Sequence, residues 1–268
     1  MSDPFADVDT TTPEMIEIIA SALETRAADP SMSPVIDSYL DALVVADGAL
    51  IVDIGSGTGG VTRQIANRFP SATVLGIEPS VALTEKAVEL ATSLPNLSFV
   101  VGDGSRLDLE DASVDIAILH TVLSHVPAPA TLIDEAARIL RPGGRLVVCD
   151  ADFSKAAMGV VPGDPLGSCA VAFVNGAVTD PWLTGKLRPL MKTAGFSITN
   201  FTIQNRVVSE GMGSMVWVRM SSARLVSEGV IGQPLADALE AEYIRRAEAG
   251  VLYGFLPFVT LIACKPTK

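Results

Sequence analysis

At 268 residues, with 49% hydrophobic and 19% charged residues, the chain has the composition of a packed globular protein rather than a disordered one, and it suits one sizeable domain or one domain with a cap. Its 31 acidic and 19 basic residues give a formal charge of −12, which repels phosphate backbones and argues against nucleic acid as a partner. No apolar run reaches the length of about 18 residues that a membrane span needs. The opening "MSDPFADVDTTTPEM" has no basic n-region or apolar h-region. Cys149, Cys169 and Cys264 are odd in number, with no C-x-x-C between them, so a reducing, cytoplasmic setting without membrane insertion is expected.

Thr12-Pro13 opens the first predicted helix, since threonine caps and proline suits the first helical position. Ile16, Ile19, Ala20 and Leu23 then fall on one face. Ser33-Pro34 repeats the signal ahead of Val35, Ile36, Tyr39, Leu40 and Leu43. Residues 1–47 are therefore expected to be helical, either as plain packing or as a lid.

From residue 50 short apolar runs alternate with helical stretches. The runs are "ALIVDIG", "TVLGIE", "LSFVVGD", "VDIAILH" and "GRLVVCD"; the helices fall near 59–69, 80–92 and 129–140. This alternation predicts an α/β fold with a parallel sheet covered on both faces, and right-handed crossovers bring every strand's C-terminal end to one edge, where ligands bind. After residue 152 the pattern loosens. "PWLTGKLRPLMKTAGF" reads as a helix and "FSITNFTIQNRVV" as a strand; residues 211–250 read as two helices and "GFLPFVTLIACKP" as a closing strand.

The stretch "LIVDIGSGTGGVTRQIA" runs a strand into a helix through Gly55, Gly57 and Gly60, a literal G-x-G-x-x-G. By itself this suits a dinucleotide, another adenosine-bearing cofactor or a tight turn. Three acidic residues sit at strand ends along the same edge: Asp53, Glu78 and Asp103. A carboxylate ending the second strand can accept from both hydroxyls of a ribose. Turn chemistry explains any one of them, but three in register point to a ligand.

"VDIGSGTGG", "GIEPS", "GDGSRLDLEDASVDIAILH" and "EAARILRPGGRLVV" follow one another in the order found in class I S-adenosylmethionine-dependent methyltransferases. Residues 50–150 resemble that family, and "HTVLSHVPAP" is similar to the ubiquinone/menaquinone-biosynthesis type. The resemblance implies a Rossmann-like, doubly wound seven-stranded sheet with an antiparallel last strand. It also implies a core over 48–268, with acceptor-binding segments at 152–181 and 209–250, the latter a helical cap between strands six and seven. S-adenosyl-L-methionine is the implied cofactor. Asp53, Gly55, Ser56, Gly57 and Gly59 would line its methionine and ribose side, Glu78 would bind the ribose hydroxyls, and Pro79 would lie beside the adenine. Asp103, Gly104 and Ser105 would meet the adenine edge, and His120 would lie near the methionine moiety. Ser56 stands where many relatives have cysteine.

Methyl transfer from a sulfonium is an in-line displacement in which orientation can supply roughly 7–11 kcal/mol. A general base adds only about 10²–10⁴-fold, and only where the acceptor must lose a proton. His120 and His125 are the chain's only histidines and share one loop. His125 is the candidate base, or else shapes the pocket. In "CDADFS", one of Asp150 and Asp152 is expected to cap the strand and the other to face the site, with Asp152 the second catalytic candidate beside His125; no companion ligands suggest a metal. Acceptor recognition is expected from Tyr39, His125, Phe153 and Trp217, with Phe173, Trp182 and Tyr243 as further aromatics in the variable segments. The expected function is methylation of a small, fairly apolar molecule on O, N or C. Non-methylating chemistry on the same fold, such as cyclisation, and a non-catalytic cofactor-binding module are the alternatives. The helices at 209–250 could cap the pocket or form a homodimer face.

Overall fold

The computed structural model describes residues 3–209 and 211–267. Two helices lead the chain, α1 (Pro13–Ala28) and α2 (Ser33–Leu40). Thr12 caps α1 by accepting from Met15 N–H, as its sequence suggests. Ser33 does not cap α2: Asp29 instead caps a 3₁₀ turn, Pro30–Met32, that runs straight into it.

Five strands and three helices follow as β1 (Leu50–Ile54), α3 (Gly60–Arg68), β2 (Thr73–Glu78), α4 (Val81–Leu90), β3 (Leu97–Val101), β4 (Val114–His120), α5 (Pro129–Ile139) and β5 (Leu140–Ala151). The remainder is β6 (Ala157–Met158), α6 (Pro165–Ala177), α7 (Leu183–Thr193), β7 (Ser197–Val208), α8 (Met215–Ser227), α9 (Gln233–Glu248) and β8 (Gly254–Cys264). The sheet order is β3-β2-β1-β4-β5-β8-β6, with β7 on the other side of β8. Strands β1 to β5 are parallel, and β8 is antiparallel to both β5 and β7. The expected seven strands are all present; the eighth, β6, is a two-residue addition that continues the β5 side of β8.

The strand order reverses between β1 and β4, so a crevice opens beyond their C-terminal ends. Alternation along each strand builds one core on either face. Ile51, Ile118, Val147 and Cys149 face α2 and α3 through Ile36, Tyr39 and Ile65. Val52, Ala117, Leu146 and Val148 face α5 and α7 through Ile133, Ala136, Leu187 and Met191. Helix α2 is thus a core helix that also offers Ile36 to the crevice, beside Phe5, Val8 and α1 residues such as Leu23. The segment expected as a loop at 152–181 contains α6, which Asp164 caps by accepting from Leu166 N–H. Among the described residues no helix is long and apolar enough to cross a membrane.

Gly59 precedes α3 at φ +77°, and a Cβ there would overlap the Phe99 ring of β3. Left-handed backbone and overpacking together set the loss for Gly59→Ala at about 2–4 kcal/mol. Gly48, at φ +73° with nothing within 4 Å of a built Cβ, carries the backbone cost alone, about 1–2 kcal/mol. Urea unfolding of Gly59→Ala and Gly48→Ala should show that gap; equal losses would remove the Phe99 contact as its cause.

Candidate functional site

The crevice is a cavity whose walls come from the ends of β1, β2 and β4, from α1, and from the segments carrying Phe153, Phe173 and Trp217. At its floor the chain turns from β1 into α3 through Gly55, Gly57 and Gly59, all at positive φ. Gly55 also admits close approach, since a Cβ there would lie 2.6 Å from Val122. The turn is tied to β2: Gly55 N–H and Ser56 N–H donate to the Ile77 carbonyl at 2.7 and 3.1 Å. Gly57 N–H donates to Glu78 Oε2 at 2.9 Å, and Ser80 N–H donates to Glu78 Oε1 at 3.1 Å. Each oxygen of Glu78 therefore keeps a free lone pair at the cavity wall.

Asp53 is buried beneath the turn and accepts from Thr62 Oγ1 at 2.6 Å, while its Oδ1 has no partner. Burial above all, partly offset by Thr62 and reinforced by Glu78, pushes its carboxyl up to about 6. Burial likewise raises Glu78, against the bonds from Ser80 and Gly57 and with a push from Asp9. Asp103 and Gly104, just after β3, line the cavity, as does Pro79 after β2. Asp103 turns its carboxylate onto its own loop, accepting from Ser105 N–H and Oγ at 2.8 Å each.

His120 ends β4 on the opposite wall. Tyr39 OH lies 3.2 Å from its Nδ1, and its Nε2 has no partner although the residue is buried. Burial and the charge of Arg26 hold the imidazole neutral, with its pKa lowered to about 3. The next residue, Thr121, adopts φ +57°, a strained conformation for a β-branched side chain, at the point where the chain leaves the sheet for the cavity wall.

His125 closes the far side. Its Nδ1 lies 2.8 Å from Asp3 Oδ2, which also accepts from Thr179 N–H at 2.9 Å and Oγ1 at 3.0 Å. Its ring lies between Phe5 and Phe153, at centroid distances of 5.0 and 5.7 Å. Phe153, Phe173 and Trp217 continue as an aromatic wall, with Phe173 and Trp217 stacked at 5.9 Å.

Four residues expected at the site do not line the cavity. Gly59 packs on Phe99 instead, and Ser105 braces Asp103 from outside. Tyr39 stands behind His120 in the core. Asp152 accepts from Ser154 Oγ and pairs with Lys155, which turns its charge away from the cavity. Its neighbour Asp150 is buried in β5 and braces the loop before His125, accepting from Ser124 N–H at 3.1 Å and Oγ at 2.7 Å. Of the other aromatics, Trp182 is exposed, and Tyr243 is buried with its hydroxyl on Gly211. Among the described residues no group of three or more His, Cys, Asp or Glu could hold a metal ion.

Two arginines absent from the sequence expectation line the cavity, Arg26 and Arg206. Arg206 is anchored by Asp29, Ser31 and Ser214 at 2.7–3.0 Å. Arg26 lies three residues beyond Leu23, on the face of α1 that Ile16, Ile19, Ala20 and Leu23 make apolar. A charge in that position was the available signal.

A glycine turn, an acid ending β2 and a cavity at the switch point stand together on a methyltransferase-like fold. Residues 52–148 match the family described as "Methyltransferase domain". The chain is 43% identical over 100 residues to trans-aconitate 2-methyltransferase of Deinococcus radiodurans, covering 37% of each protein. It is 28% identical over 245 residues to the enzyme of the same name from Methylobacterium nodulans, covering 87% of this chain and 88% of that one. The first two curated relatives it matches are spanned over only 33% and 37% of their own length. Among solved structures, phosphoethanolamine N-methyltransferase 2 of Haemonchus contortus, in complex with S-adenosyl-L-methionine, superposes with a TM-score of 0.60 at 19% identity. That match covers 98% of this chain and 60% of that one.

Because the folded protein holds the Asp53 proton more tightly than the unfolded chain does, folding takes up a proton between the ordinary value of 3.8 and about 6. Stability is therefore lost as pH rises through that window, by up to about 3 kcal/mol. Asp53→Asn removes the titration and keeps the shape. Its melting temperature should equal or exceed that of wild type above pH 6, and the difference should close toward pH 4. A pH-independent difference would show that Asp53 does not titrate there.

Proposed function

We propose that the chain transfers the methyl group of S-adenosyl-L-methionine to a small, fairly apolar molecule. The observation that carries this reading is one cavity with an acid-bearing glycine turn on one wall and aromatic side chains on the other. Glu78 fits a ribose diol through the lone pairs left on its two oxygens, and the unpartnered Oδ1 of Asp53 fits a cationic or hydroxyl donor. Gly55, Ser56 and Gly57 would border the methionine and ribose, Pro79, Asp103 and Gly104 the adenine. Gly59 and Ser105 would act through the backbone they shape rather than by contact. When bound, the cofactor supplies an electrophilic methyl group on a sulfonium.

The chain's own part is to align and to exclude water. Phe153, Phe173 and Trp217 offer the acceptor an apolar wall. His120 is neutral, with Nε2 free, and Tyr39 fixes its ring, so it can hydrogen-bond a bound ligand, while the burial that keeps it neutral disfavours it as a base. His125 is held through Nδ1 by Asp3 and acts as a shaping residue with its second nitrogen in reserve as a base. The segment before α1, with α1 itself, serves as the lid. Asp3 fastens it to His125 and Thr179, and Asp9 fastens it to Ser80 and to Val81 N–H.

Calorimetry with S-adenosylmethionine tests the cofactor. Wild type should bind, Glu78→Ala should lose about 100-fold in affinity, and Glu78→Gln, which keeps an acceptor oxygen, about tenfold. Transfer of labelled methyl to an acceptor then tests the reaction. Binding indifferent to Glu78, or a bound cofactor whose methyl never moves, would refute the reading.

A further inference from the structure

His125 is held in both backbone and ring. Thr179 Oγ1 bridges the His125 carbonyl and Asp3 Oδ2 at 3.1 and 3.0 Å, and Asp180 N–H donates to the Ser124 carbonyl at 2.9 Å. Asp150 grips Ser124 through N–H and Oγ. The loop that carries His125 starts against the glycine turn, where Val122 packs on Gly55. Its ring then leads by aromatic contacts through Phe153 and Phe173 to Trp217. His125 thus joins the turn to the aromatic wall of one cavity.

The bonds around Asp3 decide which nitrogen of that ring carries the hydrogen. Asp3 Oδ1 accepts from Phe5 N–H at 3.0 Å, and Oδ2 accepts from Thr179 N–H at 2.9 Å. An ionised carboxylate can only accept, so His125 Nδ1, at 2.8 Å from Oδ2, is the donor. In the neutral ring the lone pair then sits on Nε2, and no other described residue hydrogen-bonds it. A proton taken up there makes a cation that faces Asp3. Asp150 is the second acid on which that charge acts: burial raises its carboxyl, and Ser124 and the charge of His125 draw it down.

We propose that Asp3 and His125 form the proton-accepting pair of the site, and that the methyl acceptor is an apolar compound with a phenol-type hydroxyl. This rests on the methyltransferase reading above and narrows its acceptor from O, N or C to a hydroxyl oxygen. A carboxylate is already ionised at neutral pH, and a neutral amine attacks through a free lone pair; neither uses a base in the step. A phenol, at about 10 against about 6.5 for imidazole, is within reach of such a base as transfer proceeds, and an alkanol is too weak an acid. In the step the oxygen–methyl bond forms as the methyl–sulfur bond breaks, the electron pair staying on sulfur, and the O–H proton passes to Nε2. The positive charge that entered on sulfur ends on the imidazolium, opposite Asp3, and leaves as a proton to water. Asp3 is the positioning residue of the pair. It lies on the segment before α1, so the pair is complete only while that segment is seated.

The chain's 2 histidines make the pair readable by NMR of the full-length protein labelled in its histidine nitrogens. Neutral His125 in wild type should carry its hydrogen on Nδ1, and Asp3→Asn should mix the two tautomers. In the complex with S-adenosylhomocysteine, 2-naphthol should move the Nε2 signal and naphthalene should not. Transfer of labelled methyl is then compared for 2-naphthol and 4-nitrophenol, at a mildly alkaline pH where only the second is ionised. On 2-naphthol, kcat should fall about 10²-fold or more for His125→Gln and about tenfold or more for Asp3→Asn. KM, the rates on 4-nitrophenol and the affinity for S-adenosylhomocysteine should all stay within about threefold of wild type.

Wild type with its hydrogen on Nε2 would overturn the proposal, as would an Nε2 signal that 2-naphthol leaves unmoved. So would wild type that binds S-adenosylhomocysteine but methylates neither phenol. Equal losses on the two phenols would also overturn it, leaving His125 as cavity wall and Asp3 as a fastening. Wild type that fails to bind S-adenosylhomocysteine would overturn this proposal and the reading beneath it together.

Discussion

The carboxylate of Glu78 is the fastening on which the site depends. It ends β2, and through two backbone N–H groups it holds the glycine turn on one side and the start of α4 on the other. Burial works against its charged form, and the two N–H bonds work in favour of it. A carboxylate so placed settles three elements at once: the height of the turn above the sheet, the direction in which α4 leaves, and a row of lone pairs facing the cavity. Ser80 extends the same chain of bonds, capping α4 through Leu83 N–H while donating to Asp9 from the segment before α1. The floor and the roof of the cavity thus share one polar seam.

Two ionisable side chains in the cavity wall respond to burial differently. Asp53 can respond by taking up a proton. Arg26 has no such escape. Its pKa falls only to about 10, under burial and the repulsion of Arg206. The protein therefore holds a cation that remains charged near an acid that need not be.

How much of this was legible in sequence follows from where the determinants lie. The β1–turn–α3 unit and the acids at the ends of β1, β2 and β3 were legible because local chain geometry fixes them: an apolar strand, glycines at positive φ, then a helix. The parallel strands were legible from the alternation of elements, and the antiparallel last strand from the resemblance. Missed were the properties set by tertiary packing. Tyr39 reads as an aromatic on an amphipathic helix, and nothing local reveals that its hydroxyl meets His120, 81 positions away. Asp152 reads as facing the ligand edge, but a 3₁₀ turn after β5 hands it to Ser154 and Lys155. Gly59 belongs to the glycine pattern, yet a ring from β3 is what excludes a side chain there. Helix α6 was legible and overlooked, since Asp164-Pro165 repeats the signal of Thr12-Pro13. Arg26 was also legible, as a charge on an apolar helical face.

The roof differs from the floor in how it is attached. Its own apolar cluster is small, four buried residues in which Val8, Ile19 and Ala20 meet Leu83 of α4, and half-buried Phe5 and Met15 join it to the larger core. Most of its remaining fastenings are single polar contacts: Asp3 to His125 and Thr179, Asp9 to Ser80 and Val81, Glu24 to Arg63, and Gln64 to the Ala27 carbonyl. Bonds of this kind exchange for water at a net cost of only about 0.5–1.5 kcal/mol each, or somewhat more where a charge is involved. A sheet core buried on both faces has no comparable exchange. The low-energy opening of this fold therefore runs along the polar seam, between α1 and the glycine turn, and leaves the strand ends that carry Asp53, Glu78 and His120 in place.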